Sequence, residues 1–328
     1  VRAIAFSTYG PADVLEVVEL PLPHPGPGQV RVRVAAASVN PADWRLRSGQ
    51  FRRFLRISLP FVPGCDVAGV VDAVGSGVSL EIGDPVIALQ PTKIAGAYAE
   101  QVIVDAASLA PAPAGLALDA AAALPLCGLT ALQALRRAGL SSGDRLLVYG
   151  AAGGVGTLAV QIGGLLGAEV TAACAASGRE LVAGLGAARV LDRERDDLAS
   201  PGSYDVVFDA VNALPFRRSR QLLRAGGTAV TVNPFAARLA PDWLAFTRNG
   251  RRLRSVLVQP DAVGLATLSS WASQGDLRPV VERSYPLEQA SSAHERSQTG
   301  RVHGKLLLVA DEALAAHVPG STGWAASA

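Results

Sequence analysis

Over the first hundred residues, apolar and polar positions alternate in short runs broken by turn residues. Leu15–Leu20 and Gln29–Ser38 (QVRVRVAAAS) carry the two-residue period that puts one face of a strand into a core and the other into water. The intervening PLPHPGPG is a loop, because proline fixes φ and lacks an amide donor. Asp66–Val74, Asp84–Leu89 and Ala97–Val104 are also β-rich and are punctuated by Gly75, Gly77, Gly83 and Gly96. The pattern predicts a partly open, barrel-like β domain.

The period changes near Ala117. ALDAAAALPLCGLTALQALRRAGL has helix-forming composition and runs into a strand at Arg145–Gly150. Strands are then predicted at Glu169–Ala173, Arg189–Leu191, Asp205–Asp209, Thr228–Val232 and Ser255–Val258. Helices are predicted from Gly154, at Gly178–Leu185 and around Arg217–Arg224. Such alternation requires a parallel sheet covered by helices on both faces. A helix at Ala262–Ser273 and strands at Pro279–Val281 and Lys305–Val309 return the chain to the β domain. The expected division is residues 1–118, 119–260 and 261–328, with the small-residue tail from Ala313 poorly ordered.

Composition narrows the class. With 328 residues, 49% apolar and 18% charged, the chain can fill two cores and stay soluble. A formal charge of +2, with Lys and Arg scattered, argues against a nucleic-acid partner. The densest basic group, Arg248–Arg254, reads as a solvated loop and strand edge. Cys65, Cys127 and Cys174 form no CxxC spacing, so free thiols and a reducing cytoplasm are expected. No signal-like N-terminus stands out, and no apolar run reaches the about 20 residues that span a bilayer. Neither export nor a membrane partner is expected.

The strongest local signal is YGAAGGVGTLAVQI, where a strand ends at Tyr149 and a helix follows Gly150-Ala151-Ala152-Gly153-Gly154-Val155-Gly156. Strand, glycine-rich turn and helix in this order form a dinucleotide site. Gly153 lets backbone approach a pyrophosphate, Gly156 lets helix pack on strand, and the helix N-terminal amides receive the charge. Ala151 stands where the first glycine would be. An NAD site places an acid about 20 residues further on. Here the place is Cys174-Ala175-Ala176, with Ser177, Arg179 and Arg193 able to surround a 2′-phosphate. The expected cofactor is NADPH.

Taken together, ASVNPADWRLRSG (Ala37–Gly49), PFVPGCDVAGVVDAVGSGV (Pro60–Val78), GDPVIAL, GAYAEQV, LPLCGLTALQAL (Leu124–Leu135), GAAGGVG, VVFDAV and GRVHGKLLL resemble the quinone oxidoreductase branch of the medium-chain dehydrogenases over nearly the entire chain. The resemblance implies a GroES-like β-barrel domain, a Rossmann-type doubly wound domain, an active cleft and a homodimer. It also implies that Asn40 and Thr130 lie beside the nicotinamide and Gly153–Val155 beside the pyrophosphate. Asn233 would lie near the nicotinamide ribose, and Lys305 would reach the cofactor or the cleft. Asp66 and Gly64 would mainly hold their loop. The zinc ligands of the alcohol dehydrogenase branch fall on Asn40, Cys65 and approximately Cys127, so only one ligand type survives and no metal is expected.

Without a metal to polarise an isolated carbonyl, the implied chemistry is conjugate reduction of a small-molecule quinone or activated C=C bond. Enoyl-thioester reductases of this family often carry a tyrosine shortly after the NPAD segment, where this chain has Phe51, and that departure weakens the thioester reading. Arg45, Arg47, Arg52 and Arg53 either bind an acidic substrate or decorate the loop. A biosynthetic enoyl reductase or reductive cyclase acting on a polyketide-like substrate, and a non-enzymatic NADPH-binding protein, stay open as alternatives.

Overall fold

The computed structural model describes residues 1–196, 198, 202–232 and 248–320. The chain forms two compact units: residues 1–126, 259–275 and from Pro279 onward make the first, and residues 127–258 with 276–278 the second.

In the first unit β1 (Arg2–Ala5) pairs antiparallel with β2 (Glu16–Glu19). The organising element is β3 (Gln29–Val39). Val30, Val32 and Val34 point into the core while Arg31 and Arg33 remain partly exposed, and from Ala35 onward both faces are buried. A short helix α1 (Pro41–Arg47) follows, then β4 (Asp66–Val74), β5 (Pro85–Leu89), β6 (Gln101–Asp105), β7 (Leu109–Pro111) and α2 (Leu118–Ala121). β6 starts later than the apolar pattern from Ala97 predicts. The reason is that Ala97 and Tyr98 donate to the carbonyls of Gly64 and Pro63 instead of joining the ladder.

α3 (Pro125–Ala138) leads to the second unit, where β8 (Arg145–Tyr149), α4 (Gly154–Leu165), β9 (Glu169–Cys174), α5 (Arg179–Ala183), β10 (Arg189–Asp192), β11 (Tyr204–Asp209), α6 (Phe216–Leu222), β12 (Leu223–Thr231) and β13 (Arg252–Ser255) alternate. All pairings in this six-stranded sheet are parallel, in the order β10-β9-β8-β11-β12-β13. The order reverses at β8 and β11, and ligands of doubly wound sheets bind outside the carboxyl ends of the strands at such a switch point. Leu147, Ala173, Val207, Leu222 and Ala229 fill its core. β13 begins three residues before the expected Ser255, because an edge strand tolerates Arg252 and Arg254 and so lacks an apolar signature.

The chain re-enters the first unit through α7 (Ala262–Ser273), β14 (Val281–Pro286), α8 (Ala290–Gln298), β15 (Lys305–Val309) and α9 (Glu312–Ala315). The expected Pro279–Val281 meets β14 only at its first residue, Val281, because Tyr285 is the strand's one buried residue and the apolar pattern does not mark it. The resulting seven-stranded sheet runs β14-β15-β3-β4-β5-β7, with β6 also on β3. Two sequence expectations need correction. The tail is packed as far as Gly320: Asp311 caps α9, Leu314 and Ala315 are buried, and the Leu118 amide donates to the His317 carbonyl at 3.0 Å. The 21-residue stretch Leu118–Ala138, which holds α2 and α3, is long and apolar enough to cross a bilayer by composition, yet most of it is buried inside the fold, as in a core helix.

Candidate active site

At the switch point of the parallel sheet, the glycine loop leaves β8 and enters α4. Gly153 is the N-cap, with extended backbone. A Cβ there would meet only the Gly150 carbonyl, at 3.6 Å, so the loop stays open at this position. The first amides of α4 have no partner within the helix, which suits a pyrophosphate. Gly150 has φ +82°, and a Cβ on it would lie 2.5 Å from Val211. Val211 belongs to the loop after β11, which the buried Asp209 carboxylate gathers by accepting from the amides of Val211, Ala213 and Leu214 at 3.2, 3.2 and 2.9 Å. Burial raises the Asp209 pKa against those bonds.

Gly156 allows the closest approach. A Cβ there would fall 2.2 Å from the Gly150 oxygen and 2.7 Å from the Ala151 Cα, and backbone atoms cannot move aside. Gly156→Ala is therefore expected to destabilise the fold by about 1–3 kcal/mol in urea unfolding and to weaken nicotinamide-cofactor binding. Unchanged values on both counts would refute the close-packing role.

At the tip of β9 the structure brings the predicted phosphate-site residues together. Ser177 and Arg179 are exposed and Arg193 is part-exposed, 3.7 Å from Glu194. Burial raises the Cys174 thiol pKa, while Arg179 and Arg193 both lower it, so the two guanidinium groups act on the same strand end. Sequence reasoning missed Asp192, which is buried opposite Cys174 in the β10–β9 register. Its carboxylate accepts from the Glu194 amide at 3.0 Å and so shapes its own turn. Thr130 is buried on α3, Ala152 is buried in the loop, and Gly154 and Val155 open α4. Asn233 lies outside the described residues.

The first unit holds a second polar cluster. The antiparallel pairing of Leu306 with Val39 sets Lys305 opposite Asn40, and the β3–β4 pairing brings Ser38 to Asp66. All four side chains are buried. Lys305 Nζ donates to Asn40 Oδ1 at 2.6 Å and to the Val39 carbonyl at 3.2 Å, and lies 3.7 Å from Asp66 Oδ2. Asn40 Nδ2 donates to Asp66 Oδ2 at 2.7 Å and to the Ser38 carbonyl at 3.3 Å. Ser38 Oγ donates to Asp66, and the Leu126 amide donates to Asp66 Oδ1 at 2.5 Å. Asn40 occupies the N-cap of α1, but its amide is held by Lys305 and Asp66 and orients inward. Asp66 thus does more than hold a loop.

Behind this cluster lies a second row. The Asp43 carboxylate accepts from the Asn40 amide at 2.7 Å and from Tyr98 OH at 3.2 Å, and Tyr98 OH lies 3.1 Å from His294 Nε2. With the hydroxyl proton directed at Asp43, Nε2 carries the ring proton. Burial pushes the His294 pKa down to about 3, aided by the charge of Arg47, so the ring stays neutral.

Burial pushes the Asp43 pKa up to about 7, above its ordinary 3.8. The folded state therefore holds this proton more tightly than the unfolded chain. That stabilisation is complete below the unfolded value and is lost as pH rises through about 7. Asp43→Asn, which keeps an acceptor for both donors, is expected to flatten the pH dependence of the unfolding midpoint across that window. An unaltered slope would rule out Asp43 as its source. The NPAD segment marks Asp43 in the sequence, whereas Tyr98 and His294 become partners only through strand and helix packing.

Residues 26–114 match the family described as alcohol dehydrogenase GroES-like domain, and residues 185–308 the family described as zinc-binding dehydrogenase. Over 94% of its length the chain is 34% identical to a chloroplast envelope quinone oxidoreductase homolog of Arabidopsis thaliana, covering 98% of that protein. The chain belongs to the quinone oxidoreductase branch of the medium-chain dehydrogenase/reductase superfamily. Another Arabidopsis thaliana member, named NADPH-dependent alkenal/one oxidoreductase, chloroplastic, is 33% identical over 94% of this chain and 79% of its own. The solved quinone oxidoreductase of Coxiella burnetii superposes with a TM-score of 0.85 at 31% identity, over 94% of this chain and 99% of that one. This member of the branch is an oxidoreductase that depends on a nicotinamide cofactor, and its relatives are enzymes that act on small molecules.

The zinc implied by one family description finds a poor donor set here. Asn40 stands at the expected first ligand position with its amide oxygen already bonded to the Lys305 ammonium. A fixed cation beside Asp66 opposes a dication on electrostatic grounds. Cys65 is buried with its Sγ 3.7 Å from the Thr92 hydroxyl, and burial holds its thiol pKa well above the ordinary value. Among the described residues no group of three or more His, Cys, Asp or Glu converges. These residues do not fit zinc.

Proposed function

We propose that the protein is an NADPH-dependent reductase that works without zinc and delivers hydride to a quinone or an activated C=C bond such as an enone. The observation that carries this reading is the Lys305 ammonium bonded to Asn40 and placed beside Asp66, where a metal-using relative needs open ligands. NADPH supplies the hydride. The residues of the chain bind and orient: Ala152, Gly153, Gly154, Val155 and Gly156 hold the pyrophosphate, and Ser177, Arg179 and Arg193 the 2′-phosphate. Asn40 and Thr130 act at the nicotinamide end, and Asn233 at its ribose. Lys305 acts through Asn40, with its positive charge held near the reacting groups. Substrates that are already electrophilic by conjugation need no Lewis acid to activate them.

A homodimer and a reducing, cytoplasmic setting complete the proposal. Among the described residues β13 is the last strand of the parallel sheet, and the end of such a sheet supports the first as a place where a second copy could add its own. Three free, buried cysteines support the second.

Coenzyme choice is tested by calorimetric titration. NADPH is expected to bind roughly ten- to a hundredfold more tightly than NADH, as one or two charge-assisted bonds of ~1.5–3 kcal/mol imply. Arg179→Ala should close most of that gap. Equal affinities, or an NADH preference indifferent to Arg179→Ala, would remove the phosphate-site assignment.

A further inference from the structure

We propose that the segment from Arg45 to Pro60 docks the protein on an anionic lipid surface. Between Trp44 and Cys65 the sequence contains no Asp or Glu but has arginines at positions 45, 47, 52, 53 and 56. Arg47 is buried, and the other four are exposed. The apolar side chains among them are not withdrawn either: Phe54 is 57% and Leu59 38% exposed, and Phe51, Leu55 and Ile57 are half-buried.

The segment has a defined shape. The amides of Arg52, Phe54 and Leu55 donate to the carbonyls of Gly49, Phe51 and Phe51 at 3.1, 2.8 and 2.8 Å, which sets Arg52, Arg53 and Phe54 on successive turns. One end is fixed by α1. The other is fixed by Phe61, which exchanges two 3.0 Å backbone bonds with Phe6 and packs its ring on the Phe6 ring.

Exposed arginines alone would fit a solvated loop, but such a loop gains nothing from an exposed phenylalanine and leucine beside them. Interleaved guanidinium and apolar groups match a bilayer interface, where cations meet anionic headgroups and aromatic and aliphatic side chains enter the acyl boundary. This is attachment to a surface, not insertion. It would bring the protein to a phase in which apolar quinones partition, but the binding itself does not depend on the reaction assigned above.

The test is co-sedimentation of the full chain with vesicles of phosphatidylcholine alone and of equal parts phosphatidylcholine and phosphatidylglycerol. Binding is expected to the mixed vesicles only and to weaken as salt rises. Arg52→Ser/Arg53→Ser/Arg56→Ser should lower partitioning more than roughly tenfold, since each basic residue near an anionic surface contributes severalfold. Phe54→Ser should lower it by a smaller factor. Arg217→Ser/Arg220→Ser, on the basic helix α6 of the second unit, should bind like the native chain, and circular dichroism with thermal melting confirms that each variant is folded. No binding to the mixed vesicles, equal binding to both vesicle types, or folded loop variants that bind like the native chain would overturn the proposal.

Discussion

Lys305→Met is expected to be the most destabilising single change in the first unit, costing about 3–5 kcal/mol in urea unfolding, because removing one partner leaves a buried charge uncompensated. Asp66 is fully buried and Lys305 nearly so, and their charged groups are 3.7 Å apart. The remaining donors to Asp66, from Ser38, Asn40 and Leu126, are neutral dipoles and do not cancel its charge. Asn40 also loses its strongest donor, so its side-chain amide is freed on one side. The companion change Asp66→Asn removes the orphaned charge. The double variant Lys305→Met/Asp66→Asn should therefore be clearly more stable than the sum of the single effects, a coupling that unfolding of all four proteins measures directly. Additive losses would mean that the two side chains merely share a neighbourhood.

Asn40→Ala is expected to reduce kcat by tenfold to a hundredfold, equivalent to ~1.4–2.7 kcal/mol of barrier, with a smaller change in NADPH affinity. The structure adds a reason to the resemblance. An amide oxygen held by an ammonium and an amide nitrogen held by a carboxylate cannot rotate, so any contact that Asn40 makes with a reacting group is preorganised. Thr130→Ala should behave similarly. Steady-state kinetics with an enone or a quinone at saturating NADPH, alongside titration of the cofactor, separate the two effects. A large fall in affinity at constant kcat would recast Asn40 as a binding residue.

Much of this was legible in the sequence because it is local. The glycine loop could be read from its flanking strand and helix. The parallel sheet followed from alternation. The regions that escaped prediction are governed by tertiary register. Nothing near Lys305 in the chain announces that β15 lies against β3 and sets it opposite Asn40, since the contact spans 265 residues. Asp43, Tyr98 and His294 are likewise separated in sequence and joined by packing. Edge strands β13 and β14 were misplaced because only Ser255 in the one and Tyr285 in the other are buried, which leaves too few core positions to set an apolar period. The helical tail was missed because its cap, Asp311, precedes a run of alanines whose burial depends on residues near Leu118.

The central claim is hydride delivery to conjugated acceptors without zinc. The most direct test is NADPH oxidation by metal-analysed protein with a 1,4-quinone, an α,β-unsaturated ketone and an isolated ketone, assayed before and after chelation. The account predicts less than stoichiometric zinc, turnover of the quinone or the enone that survives chelation, and little activity on the isolated ketone. One zinc per chain with activity abolished by chelation, or the isolated ketone as the best acceptor, would contradict it.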